Sequence, residues 1–179
     1  MTKLDLKGTK MFGKVRSLRE LFEIELRYAY DCEQKLVEKG LPGMIEHAST
    51  NQLRSALEQH LQETRTQVTR LERVFSLMGV EPEVESNAII GELTSAAKAS
   101  VSHIEDSPLR DAALVVNGTF VEHYEIALYG ALVSFAKKLG LRDAAILLQE
   151  TLGEEKAADA KLSQIGETLL NDQAVKQSA

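Results

Sequence analysis

Apolar residues recur at intervals of three and four over four long stretches of this chain, the period of a helix with one buried face. The first stripe is Leu18, Phe22, Glu25, Ala29, Cys32 and Leu36. The second is Leu53, Leu57, His60, Thr64, Gln67, Leu71, Val74 and Met78. The third runs Val115, Thr119, Glu122, Ile126, Tyr129 and Val133, and the fourth Leu148, Leu152, Glu155, Asp159 and Leu162. Nowhere do apolar and polar residues alternate with the period of two that a half-buried strand requires.

Local signals set the ends of these helices. Ser17 followed by Glu20 is a capping box that opens the first helix. Gly40 suits its C-cap, and Pro42 suits the first turn of a short helix reaching about Ala48. Ser49, Thr50 and Asn51 offer N-caps for the second long helix, which Gly79 ends. A weaker helix rich in small residues is expected from about Ala88 to Ser102. Asp106-Ser107-Pro108 starts the third long helix, which Gly140 ends. The fourth is expected to fade near Asn171. The chain thus divides into a polar tail (1–15), one bundle domain (16–171) and a frayed C-terminal tail (172–179). Two helical hairpins joined by a long crossover predict an all-α, ferritin-like four-helix bundle.

Composition narrows the function. A chain of 179 residues, 44% hydrophobic and 27% charged, makes one domain with a sizeable core. The formal net charge of −6 and the lack of a basic block argue against nucleic acid or an anionic membrane as partner. No apolar run reaches membrane-spanning length, and the first residues carry no hydrophobic signal core, so a cytoplasmic location is expected. The single cysteine, Cys32, allows no intrachain disulfide and no cysteine-based zinc or iron–sulfur site. It is expected to be a small buried hydrophobe.

The stripes also carry side chains that a bundle interior ordinarily excludes. His60, Glu122, Glu155 and Asp159 occupy stripe positions. Glu63 lies three residues from His60 and Glu125 three from Glu122, offsets that share a helix face. In the second hairpin, a turn near residues 139–140 sets Glu122 level with the stretch between Glu155 and Asp159. In the first, a turn near 49–50 sets Glu63 close to Glu33 and leaves Glu25 far from His60, so Glu33 is preferred as the first-helix candidate. A carboxylate buried without a partner is costly, so Glu33, His60, Glu63, Glu122, Glu125, Glu155 and Asp159 converging on one core call for shared cations. Two metal ions are expected, iron first, with manganese or zinc as alternatives.

Blander roles exist for each residue. A lone histidine on an apolar face is ordinarily a hydrogen-bonded core residue, and Glu122 and Glu155 could answer buried basic groups. Yet the third-helix stripe carries no Arg or Lys. Glu33, Glu63 and Asp159 could face solvent, as Glu58 and Glu154 are expected to. Tyr30, Tyr124 and Tyr129 read as packing residues, one of which could hydrogen-bond a ligand carboxylate. His47, His103 and His123 have no partner spacing and read as ordinary.

The segments LRELFEIELRYAYDCEQKL, LEQHLQETRTQVTRLERVF, RDAALVVNGTFVEHYEIALYGAL and LLQETLGEEKAADAKL resemble the YciF-type bacterial stress proteins of the ferritin-like superfamily. The resemblance runs from about Ser17 to Leu170, with VEHYEIALYG its most specific piece. It implies a ferritin-like bundle, a dinuclear metal centre and a homodimer. Glu122-His123-Tyr124-Glu125 with Tyr129 is also similar to the third-helix E-x-x-E of rubrerythrin-like proteins. The chain departs from the usual superfamily pattern in two places. His60-x-x-Glu63 reverses the usual E-x-x-H, and the fourth helix offers Glu155 and Asp159 with no histidine. No cysteine-held iron is available, so a redox role needs an external electron donor. The expected function is a metal-binding oxidoreductase of the stress response acting on dioxygen, peroxide or ferrous ion. The alternatives are an iron-storage cage and a helical adaptor that is metal-free or holds metal only structurally.

Overall fold

The computed structural model describes residues 14–105 and 108–177. Among the described residues seven α-helices form: α1 (Leu18–Lys35), α2 (Leu41–His47), α3 (Asn51–Met78), α4 (Ala88–Ser102), α5 (Pro108–Lys138), α6 (Arg142–Ile165) and α7 (Asn171–Gln177). Most of the polar N-terminal tail, Asp106-Ser107 and the last two residues lie outside the described residues.

The four long helices are α1, α3, α5 and α6. Each packs on two neighbours, α1 and α6 both contacting α3 and α5, so a four-helix bundle results. The expected caps form where the sequence places them. Ser17 Oγ accepts from the Glu20 amide at 3.1 Å while the Glu20 carboxylate accepts from the Ser17 amide at 3.1 Å. Gly79 and Gly140 adopt φ of 71° and 73°, the left-handed geometry that ends a helix and that side chains with a Cβ resist.

Two expectations fail. Gly40 does not end the first helix: it has φ −61° and continues the coil. Residues Leu36–Gly40 form a wide π turn that leads into α2, with Pro42 in the first turn of α2 as expected. Nor does the chain fray at Asn171. A second π turn, Gly166–Leu170, leads into α7, and Leu170 is fully buried. The apolar contact of Leu170 and the preceding Ile165 holds this extension down, where propensity alone is weak.

Buried acceptors pin the connections. Asp111 on α5 is fully buried and accepts from the amides of Ser49 and Thr50, each at 2.7 Å, so it holds the corner between α2 and α3. Asn87 caps α4 by accepting from the amides of Ile89 and Ile90 at 3.1 and 3.2 Å. Its own amide nitrogen donates to Asp31 at 2.7 Å, and its side chain donates to Tyr124 at 2.6 Å, stitching the crossover to α1 and α5.

The apolar interior is in two parts. At one end Phe22, Leu26, Leu71, Phe75, Leu132 and Leu148 pack together, and the cluster gathers the start of α1, the end of α3, the end of α5 and the start of α6. At the other, Leu36, Leu53, Leu57, Leu114, Leu162 and Ile165 form a second cluster. Because the start of α1 meets the end of α5, each helix runs antiparallel to both neighbours. Between the clusters lies a layer of buried polar side chains.

Candidate metal centre

That layer comprises Glu33 from α1, His60 from α3, Glu122 and Glu125 from α5 and Glu155 from α6, all buried. The stripes bring them there. His60 follows Leu53 and Leu57 on the buried face of α3, Glu122 lies one turn after Gly118 on α5, and Glu155 follows Leu148 and Leu152 on α6. His60 Nε2 stands 3.2 Å from Glu122 Oε1 and 3.9 Å from Glu155 Oε2. One ligand atom from each of these three lies within 4.8 Å of the others. Tyr129 donates its hydroxyl to Glu33, and the Cys32 thiol faces Glu125 Oε1 at 3.5 Å.

Hydrogen bonding leaves the layer incomplete. Glu33 Oε2, Glu122 Oε2, Glu125 Oε2, both Glu155 oxygens and His60 Nδ1 are buried without a partner. Buried polar groups are ordinarily satisfied, so this many orphans in one layer is a departure that a cation would resolve. No Arg or Lys among the described residues forms an ion pair with any of these four glutamates. The donor set, one imidazole and several carboxylates, suits iron, manganese or zinc.

The electrostatics follow from this crowding. Burial pushes the Glu33 carboxyl up to about 8, against the Tyr129 hydrogen bond and the His60 charge, which favour its ionised form. Glu125 is raised far above the usual carboxylate range by burial and by the charges of Glu33 and Glu122. Glu155 is raised likewise by burial and by Glu125, Glu33 and Glu122. Burial works against a charged His60, but the hydrogen bond and charge of Glu122, with Glu33 and Glu63, outweigh it and raise the imidazole.

Glu33, not Glu25, reaches this layer; Glu25 is half-buried on α1. Glu63 and Asp159 stay at its rim. The Glu63 side chain is 36% exposed, accepts from Gln59 at 2.9 Å and lies 3.7 Å from His60 Nδ1. Asp159 is 24% exposed and lies 3.3 Å from His123 Nδ1, whose hydrogen is committed to the Thr119 carbonyl at 2.9 Å. His123, read as ordinary in sequence, therefore sits beside the rim. Glu154 is not a solvated face either. Arg70 grips both its oxygens at 2.8 Å and Gln67 donates to it at 3.0 Å. This collar bridges α3 and α6 beside the site, two to three turns from His60 along α3, and its only sequence sign is the buried Gln67 on a stripe.

A family model described as a domain of unknown function, DUF892, matches residues 17–175. Protein YciF of Escherichia coli strain K12 is 35% identical over 168 residues, covering 89% of this chain and 96% of YciF. Among solved structures, YcfI from Rhodopseudomonas palustris is 39% identical with a TM-score of 0.82, over 86% of this chain and 98% of that one. The crystal structure of the E. coli stress protein YciF is 34% identical with a TM-score of 0.83, over 88% and 99%. A Xanthomonas campestris protein at 21% identity and a TM-score of 0.71 shares the fold.

Proposed function

Since the chain belongs to the DUF892 family, with YciF among its relatives, we propose that it is a ferritin-like protein holding two metal ions in its polar layer. We read it as an oxidoreductase of the stress response acting on dioxygen, peroxide or ferrous ion. One observation carries the reading: the buried carboxylates of Glu33, Glu122, Glu125 and Glu155 gather at His60 with unpaired oxygens. His60, Glu122 and Glu155 would hold one ion; Glu33 and Glu125 would hold the second. Glu63 and Asp159, at the rim, would complete the set. Two redox-active ions so held would supply an electron pair to dioxygen or peroxide.

This chain's own residues contribute the surroundings. Tyr129 orients Glu33 through its hydroxyl. The apolar clusters on either side keep bulk water from the layer, which strengthens every charge interaction within it. Iron is the favoured metal, with manganese or zinc as alternatives. Electrons come from an external donor. None of the described helices is long and apolar enough to cross a membrane. We propose a cytoplasmic location. Exposed Val116 and Phe120 on α5 offer apolar surface for pairing in a homodimer.

Elemental analysis of protein purified without chelator tests the reading, with about two metal equivalents per chain expected. Anomalous scattering at the iron and manganese edges identifies the ion. Folded protein that carries no metal overturns it in favour of a metal-free helical adaptor. That competing reading draws on the raised Glu33, Glu125 and Glu155 carboxyls, which would be neutralised by protons instead.

A further inference from the structure

Gln67 is fully buried on the stripe of α3, two turns beyond His60. Its amide nitrogen donates to Glu154 Oε2 at 3.0 Å, while its amide oxygen is buried with no partner. The amide cannot turn over to find one. Arg70 donates to both Glu154 oxygens at 2.8 Å and to Thr151 Oγ1 at 2.8 Å, and a carboxylate so held only accepts. The nitrogen of Gln67 therefore faces the collar, and its oxygen faces away.

Two contacts between α1 and α3 show what lies opposite. Tyr30 donates to Glu72 at 3.0 Å, and Arg19 donates to the Met78 carbonyl at 3.3 Å. Counted on from these along the antiparallel pair, Glu33 comes level with Gln67 to within a turn. Glu154 is near enough to Glu33 and His60 for their charges to act on one another. Gln67 thus borders the Glu33 side of the polar layer. Cations answer the orphaned carboxylates there. This orphan is a neutral acceptor, and what it lacks is a donor, which none of the described residues supplies.

We propose that Gln67 is a substrate-binding residue, whose amide oxygen accepts the O–H of a hydroperoxide bound in the layer; this rests on the metal-binding reading above. The assignment narrows the substrate to the peroxide class. Hydrogen peroxide carries a proton at each end. Dioxygen has none to give and meets only the lone pairs of the amide. The chain from Arg70 through Glu154 to Gln67 presets the acceptor, so little ordering cost remains when peroxide arrives. Water is the other small donor of this chemistry, and the test separates the two.

Crystals of zinc-loaded protein, soaked in hydrogen peroxide and flash-cooled, provide the test, since zinc does not reduce the peroxide. Density for two bonded oxygen atoms, one within hydrogen-bonding distance of Gln67 Oε1, is expected. A single resident water at that position, or no density, would overturn the proposal. Gln67→Met keeps the length of the side chain and removes the acceptor; it should lose the peroxide density with zinc still bound. In iron-loaded protein the same variant should raise the KM for hydrogen peroxide about tenfold, with a smaller change in kcat. An unchanged KM, or peroxide density retained in the variant, would also overturn the proposal. The wild-type crystals decide the matter alone if the variant does not fold. Wild-type protein that holds zinc but no peroxide overturns this assignment only. Protein that takes up no zinc and purifies without metal overturns the metal-binding reading, and this role of Gln67 with it.

Discussion

Tyr129 reaches from α5 to donate its hydroxyl to Glu33 on α1, leaving the other Glu33 oxygen without a partner. Tyr129→Phe removes that hydrogen bond and leaves a buried carboxyl group unsatisfied at both oxygens. The metal-free variant should lose about 1–3 kcal/mol in urea denaturation. The metal-loaded variant should lose less, since a cation takes up the same charge. Equal losses in both states would show that Glu33 is not drawn to an ion.

Chelation should lower the melting temperature markedly, because the carboxylates of Glu122 and Glu155 are then left facing each other in the layer. The double variant Glu122→Gln, Glu155→Gln should recover part of that loss in the metal-free protein by removing like-charge repulsion. It should also bind less metal. Melting that is indifferent to chelation would refute both expectations.

The metal-free protein should become less stable as pH rises. Glu33 takes up its proton near 8 in the folded chain against 4.5 when unperturbed, so the folded state binds the extra proton between those values. Stability therefore falls with rising pH across that window. His60 acts in the same direction, since its raised value makes a contribution that is full below 6.5 and lost as pH passes the folded value. Thermal melts of chelated protein at about pH 5.5 and about pH 8.5 should show the higher melting temperature at the lower pH. Metal-loaded protein should show the opposite trend, because its ligands bind deprotonated.

Away from the layer, Asp111→Ala should cost about 2–3 kcal/mol by freeing the Ser49 and Thr50 amides, with metal content unchanged. Asp111→Asn, which retains one acceptor, should cost less. Calorimetry with parallel metal analysis separates the two effects; a loss of metal would mean that the α2–α3 corner also positions the site.

The stripes made most of this architecture legible. All eight residues of the second stripe are buried, and three of them define the α3 wall of the polar layer or its collar: His60, Thr64 and Gln67. Rim positions were harder. A residue three or four steps from a buried one is rotated by about 40–60° around the helix. That rotation carries Glu63 to the exposed edge of α3 and Asp159 toward His123. Gly40 misled because a glycine signals an end only when the local chain decides. Here burial of Leu36 and Leu41 on either side carries the helix through a wide turn instead. Cys32 is buried in the second apolar cluster as expected, and its thiol contact with Glu125, 93 positions away, has no local sequence sign.

Hydrocarbon at both ends of the bundle with acids between them fixes how the helices line up. A uniform leucine interior would let one helix slide past another by a turn, about 5.4 Å, at modest cost. In this chain the same slip would drive Glu122 or Glu155 into one of the leucine-rich ends and strand His60 opposite hydrocarbon. The acids thus act as a ruler, and the fold has a single alignment in which all four measures agree.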